Sequence, residues 1–279
     1  IIEKDYMSAS ISSINYCPVK SVSFQSINNC EIKKNVGIVG DRIFAFSNGL
    51  DSNQARLFEK NIEERRGKWN KILTLKNSPV LNKYNFLYEK NNLTLLFKDK
   101  QILTIDVNEL SERQLLSNKI TELENSLKEP IVLMKNEELP FFDTSISNKV
   151  DFINSVSLLN IQSVNDFQKK IDKKVEISRF RGNICIDGIK PWGEREWIGK
   201  IIKINNVSFK VEKNIPRCVA INLKPQSDEN SFNLLQLLKK NYNHFDMGVY
   251  LTALDDGEIN IGDTINCLLY TSPSPRDRG

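Results

Sequence analysis

The sequence predicts an α+β fold in which strands predominate, built as barrel-like or sandwich sheets and not as a doubly wound parallel sheet. Three observations predict it. Short apolar runs of strand length recur through both halves of the chain, several with period-two alternation, as in Leu93–Phe97 and Ile102–Val107. Turn-forming residues punctuate them, among them Pro18, Gly37, Gly40 and the pairs Asn91–Asn92 and Asn205–Asn206. Helical spacing is confined to a few segments.

Taken in order, Ile11–Tyr16, Phe24–Ile32 and Arg42–Phe46 read as strands, and Leu57–Lys71 reads as charged and irregular. Four more strand-like runs follow at Ile72–Leu75, Tyr84–Glu89, Leu93–Phe97 and Gln101–Val107. Leu110, Leu115, Leu116, Ile120 and Leu123 fall near helical spacing, so a helix over Glu109–Leu127 closes the first half, and a linker is expected over Pro130–Pro140. Ser155–Ile171 reads as a strand turning into a helix. Further strands are expected at Asn183–Ile189, Ile201–Lys213, Cys218–Leu223, Met247–Leu254 and Glu258–Ile265, with one amphipathic helix at Ser231–Tyr242.

Composition bounds the function. With 279 residues, 40% hydrophobic and 27% charged, the chain can bury a core without disulfides. A formal charge of +4 and the lack of a basic run interleaved with aromatics argue against nucleic acid as a partner. Five cysteines in no zinc-like spacing, and an odd number at that, fit a reducing compartment; with no leader-like segment in Ile1–Ser10 and no apolar run of membrane-spanning length, the expectation is a cytoplasmic protein with no membrane partner. Phosphate-cradling loops, a nucleophile elbow and a zinc-protease helix are all missing. The single histidine, His244, follows a helix and has no nucleophile near it in sequence to activate, so it reads as a helix-end residue.

Five strings place special backbone or charged residues at strand ends: YCPVKS (Tyr16–Ser21), VGIVGDR (Val36–Arg42), RFRGNICIDG (Arg179–Gly188), PWGEREWIG (Pro191–Gly199) and IPRC (Ile215–Cys218). Their order and spacing, with DMGVY and GEINIGDTI near the end, resemble the MOSC proteins that carry a preceding β-barrel domain, which include bacterial molybdenum-cofactor reductases and the mitochondrial amidoxime-reducing component. The resemblance runs from about Ile11 to Ile265. It implies an N-terminal β-barrel-like domain over residues 1–130 and a MOSC β-barrel domain with a few helices over 131–266. The last stretch, 267–279, reads as a sequencing-adapter translation, which would make Cys267 foreign to the protein.

On its own chemistry Cys218 is either a buried, inert cysteine at the start of a strand or a thiolate favoured by Arg217 beside it. The resemblance implies the second: Cys218 as metal ligand and catalytic residue for a molybdenum cofactor (Mo-molybdopterin). It further implies that Lys20, Ser21, Arg42, Arg181 and Asn183 hold that cofactor, its phosphate calling for converging cations and donors, with Ser163 at a strand-to-helix turn as another contact. Cys185 reads as core, Trp192 and Trp197 as packing anchors, and Glu194 and Glu196 as a pair of acids with nothing to place them near the metal. The implied activity is reduction of a small N-hydroxylated substrate with electrons from a ferredoxin-like or flavoprotein donor. The alternative is a carrier that holds the cofactor or sulfur on Cys218 without turnover.

Overall fold

A computed structural model describes residues 9–127, 130–230 and 232–268. The chain starts with β1 (Ala9–Tyr16), β2 (Gln25–Ile27), β3 (Asn29–Lys33), β4 (Gly37–Ile38) and β5 (Phe44–Phe46). Between Leu57 and Lys71, read as irregular from sequence, lie the last turn of α1 (Ser52–Lys60) and all of α2 (Ile62–Arg65). Their starts are fixed by caps: Asp51 and Gln54 form a capping box, and the Asn61 side chain accepts from Glu63 N. Ile72–Leu75 forms no strand and contributes a single bridge to Ser47.

The meander of β6 (Tyr84–Glu89), β7 (Asn92–Phe97) and β8 (Lys100–Asp106) follows, turning at Lys90–Asn91 and Lys98–Asp99, all four at positive φ. Next come α3 (Leu110–Leu123) and β9 (Leu133–Lys135). The expected linker over Pro130–Pro140 is therefore part of the core: β9 pairs with β5, and Ile131 to Met134 are all buried. Its apolar run, short as it is, supplies the sheet partner β5 needs.

The rest of the chain comprises α4 (Asp143–Ile146), β10 (Val156–Asn160), α5 (Ile161–Ile171), β11 (Ile184–Asp187), β12 (Ile201–Ile204), β13 (Val207–Pro216), α6 (Leu234–Tyr242), β14 (Asp246–Ala253), β15 (Gly257–Asn260) and β16 (Thr264–Leu268). Seven strands close into a barrel in the order β1, β11, β10, β14, β13, β12, β16 and back to β1. Closure leaves no open edge in the ring. Alternate residues fill its interior, among them Ile14, Leu158, Ile184, Ile186, Phe209, Val249 and Leu251. The expected α+β, mainly β architecture is what the chain adopts.

Further cores flank the barrel. Cys17, Val19, Val22, Phe44, Phe46, Phe86, Leu95, Leu116 and Ile120 pack in an N-terminal lobe, and α5 and α6 cover the barrel's other flank through Leu159, Val164, Phe167, Cys185, Leu234 and Met247. The division at residue 130 does not follow the hydrogen bonding. β1 closes the C-terminal barrel, and β3 pairs with β15. Of the suspected adapter tail, residues 269–279 lie outside the described residues, while Cys267 sits in β16 opposite Ile202.

Candidate functional site

The outward face of β10 and β14 is the floor of the site. Alternation turns Leu158, Val249 and Leu251 into the barrel and leaves Ser157 and Tyr250, opposite each other in register, on the outside. Over this floor converge the chain after β1, the turn before β5, the start of α4 and the turn before β11. Three of the residues they bring, Ser21, Arg42 and Arg181, hold φ of 69°, 53° and 50°. Left-handed backbone costs a non-glycine residue roughly 1 kcal/mol or more and tends to gather at functional sites.

Asn183 organises the centre. Its Oδ1 accepts from Ser157 N at 3.1 Å and Ser157 Oγ at 2.8 Å, and its amide donates to Asn15 O at 3.1 Å and Asp41 Oδ2 at 3.2 Å. Asp41 in turn accepts from Cys17 N at 2.9 Å and Arg42 Nη1 at 2.6 Å. Burial pushes the Asp41 carboxyl up while Arg42 pulls it down. Gly182 keeps this turn against the barrel, since a Cβ there would lie 2.8 Å from that of Leu159.

The cations around this centre differ in how they are compensated. Lys20 Nζ lies 2.5 Å from Asp143 Oδ1, and Arg42 is paired with Asp41. Arg181 has only neutral acceptors, Val22 O at 2.9 Å and the Cys17 sulfur at 3.8 Å, and rests over the Phe24 ring at 4.4 Å. Burial pulls its pKa down. Arg217 also reaches a carbonyl, donating from Nε to Met247 O at 2.8 Å, and burial lowers its guanidinium to about 10.

Cys218 sits at the head of a 3-10 turn, Val219–Asn222, and its side chain is exposed. The expected strand Cys218–Leu223 is therefore corrected: β13 ends at Pro216, because Arg217 N is drawn to Phe245 O and the chain then coils. The buried-core alternative for Cys218 falls with it. Cys17, by contrast, is fully buried, and burial pushes its thiol up to about 11 against Arg42 and Arg181, so it stays protonated near neutrality.

Two residues that sequence reasoning missed belong here. Tyr250 is pushed up to about 12 by burial and by the charge of Asp143, with Arg217 and Arg42 opposing and Cys218 adding to the rise. Charges on Asp143, Arg42, Arg217 and Cys218 all act on this one hydroxyl. Asp143, the partner of Lys20, carried no motif of its own.

Ser163 is not brought to this site and is corrected as a contact. It is fully buried, its hydroxyl donates to the Glu194 carboxylate at 2.9 Å and accepts from Trp192 N at 2.8 Å, and no donor is left for a phosphate. The first turn of α5 is capped by Asn160. Glu194 and Glu196 point apart: Glu194 is buried against Ser163 and Asn160, and Glu196 is exposed beside Lys190. Trp192 stacks 4.5 Å from Tyr242, and His244 Nε2 lies 2.6 Å from Arg195 Nη1.

The stretch that carries Asp143, Arg181, Arg217, Cys218 and Tyr250 is matched by the family profile described as MOSC domain, over residues 143–266. Residues 143–266 are a MOSC domain. Its relatives include a molybdenum cofactor sulfurase of Drosophila willistoni, 31% identical over 42% of this chain and 15% of that protein, and mitochondrial amidoxime reducing component 2 of Bos taurus, 29% identical over 33% of this chain and 27% of that protein. The chain spans well under a third of either. Among solved structures, the YUAD protein from Bacillus subtilis aligns with 92% of this chain and 94% of its own at 9% identity and a TM-score of 0.42. Among the described residues of the MOSC domain and of the N-terminal lobe, no helix is long and apolar enough to cross a membrane.

Proposed function

We propose that this chain binds a molybdenum cofactor with the Cys218 thiolate as metal ligand, and that it reduces small N-hydroxylated compounds with electrons from a ferredoxin-like or flavoprotein donor. The observation that carries the reading is the exposed Cys218 set directly after Arg217, above a floor where cations outnumber their acidic partners.

The residues present fit such a group. A thiolate ligand has to be reachable, and Cys218 is. No three His, Cys, Asp or Glu residues converge in metal-binding geometry among the described residues, so Cys218 would be a lone protein ligand with the remaining coordination supplied by the cofactor. The cofactor's phosphate needs charge-assisted donors. Arg181, with no carboxylate partner among the described residues, offers them outright, and Lys20 and Arg42 offer them from within ion pairs. Ser21 holds a positive φ that turns the chain beside Lys20, and Asn183, whose hydrogen bonds are all to protein, keeps the Arg42 and Arg181 turns in place.

When bound, the group supplies the means to take an oxygen from the substrate; R–NHOH with two electrons and two protons gives R–NH2 and water. The protein's own part is to fix and orient. Arg217 holds positive charge next to Cys218 in the chain, and Met247 O anchors that guanidinium. Tyr250 and Asp143 line the floor with a hydroxyl and a carboxylate.

Elemental analysis of protein made in a host that synthesises the cofactor tests the reading. Stoichiometric molybdenum is expected in the wild type, and Cys218→Ala is expected to lose turnover of an N-hydroxylated amidine. Folded wild-type protein without metal overturns it. A carrier role on the same cysteine is favoured by the relatives named molybdenum cofactor sulfurase. That reading predicts transfer of cofactor or sulfur to an acceptor with no consumption of the N-hydroxylated compound.

A further inference from the structure

Beside this site opens a pocket of about 190 Å³ whose lining includes none of Lys20, Ser21, Arg42, Asn183 or Cys218. Ser178, Arg179 and Arg181 form one wall, the stretch 220–226 with Gln226 a second, and Ser23 and Phe24 lie on the third. Its rim at Ala220 is two residues beyond Cys218, so a molecule in the pocket abuts the turn that carries the thiol.

The pocket is built to take a negative charge. A guanidinium carries five N–H donors. Arg179, 3% exposed, uses Nε on Glu176 at 2.6 Å and Nη1 on Asn222 O at 2.9 Å. Arg181 uses Nη1 on Val22 O and Nη2 weakly on the Cys17 sulfur, and no carboxylate lies in ion-pair distance of it among the described residues. At ion-pair distance the buried Arg179 and the half-buried Arg181 thus have one acid between them among the described residues, Glu176, which leans out to solvent, while Asp143 and Asp41 act on Arg181 from farther away. A buried cation without its counter-charge is costly, and the fork of a guanidinium matches a carboxylate in geometry. The Ser178 side chain and the Gln226 amide add polar groups on facing parts of the lining, while the Phe24 ring on the remaining side lies under Arg42, at 4.9 Å, and Arg181.

We propose that this pocket binds the carboxylate of the substrate, so that the preferred N-hydroxylated compounds are acids; as a statement about substrate it rests on the reductase reading. The cofactor's phosphate is assigned to the other side of Arg181, where Lys20, Ser21 and Arg42 stand. The carboxylate end then sits between Arg179 and Arg181, and the N-hydroxy end reaches toward Cys218.

Calorimetric titration of benzoate, with benzamide as the neutral control, into metal-free and cofactor-loaded protein tests the pocket. Saturable benzoate binding is expected in both forms, with benzamide about tenfold weaker or worse. Ser178→Glu and Gln226→Glu, each at an exposed position, should weaken benzoate about tenfold by like-charge repulsion and leave metal content unchanged. With loaded enzyme, a carboxylated N-hydroxybenzamidine should show a lower KM than its neutral parent, and the two variants should erase that difference. Absent benzoate binding, binding that disappears on cofactor loading, or wild-type affinity in both variants overturns the proposal. Benzoate binding without any turnover overturns the reductase reading and leaves the carboxylate pocket standing.

Discussion

Gly248 shows how much a single position governs here. At φ 79° its missing side chain lets β14 lie against β10, because a Cβ would fall 2.3 Å from Leu158 O and 3.3 Å from Arg217 Nη2. Gly248→Ala is expected to lower stability by about 2 kcal/mol or more, read as a drop in the urea midpoint, and to displace Arg217. Asn183→Ala removes both the acceptor for Ser157 and the donor for buried Asp41, and should cost about 2–3 kcal/mol in the same measurement. His244 gives a pH dependence. Burial and the neighbouring Arg195 hold its pKa below the ordinary value, so the unfolded chain binds the proton more readily. Its contribution is full above pH about 6.5 and is lost as pH falls through the folded-state value. Acid titration of wild type against His244→Asn should show a shallower decline in the variant. At this scale the sequence could point only to residues inside a local string, as Cys218, Arg42 and Arg181 are. Asp143 was not, because its role comes from an ion pair with Lys20 across 123 positions.

Among the elements, β10 followed by α5 was legible because an apolar run passes directly into helical spacing, and the chain folds as it reads. Ser163 was misassigned at that same junction: the turn was right, but which way the hydroxyl faces depends on Glu194, 31 positions on. α1 and α2 were missed because they are short and their starts rest on caps and not on an apolar stripe. α3 was found on evidence that holds for Leu116 and Ile120, both fully buried, and fails for the other three leucines. Leu110, Leu115 and Leu123 are exposed, while the inward side carries Arg113, whose Nη1 donates to Glu59 at 3.1 Å, and Ser117, which accepts from Leu133 N at 3.0 Å. Arg113→Ala strips a buried carboxylate of one partner and should cost about 3 kcal/mol, whereas Leu115→Ala should fall within about 0.5 kcal/mol of wild type. Urea unfolding of the two variants side by side checks both values.

For the molecule as a whole, the barrel is a product of both ends of the described chain. β1 pairs with β11 on one side and β16 on the other, so the MOSC domain's ring includes a strand that lies more than a hundred residues before it. A fragment of residues 143–268 is expected to lack cooperative thermal unfolding by circular dichroism, and adding residues 9–16 through a short linker at its start should restore part of it. A fragment that unfolds cooperatively without β1 would show that six strands suffice. The family resemblance, beside a stretch read as a linker, set the division at residue 130, and strand pairing over such a separation leaves no local trace.

That pairing also sets a clock on biosynthesis. Ala9–Tyr16 is made early, yet its partner Thr264–Leu268 leaves the ribosome some 250 residues afterwards, which at ordinary translation rates is about 12–50 s. Through that interval the first strand is an unfinished edge, able to pair with any other nascent chain. Ser10, Ser12, Ser13 and Asn15 are polar, with the period of two shifted at the irregularity between Ile11 and Ser13, so the ribbon that waits is apolar along one side only, which limits its pairing with other chains until β16 arrives to lock it.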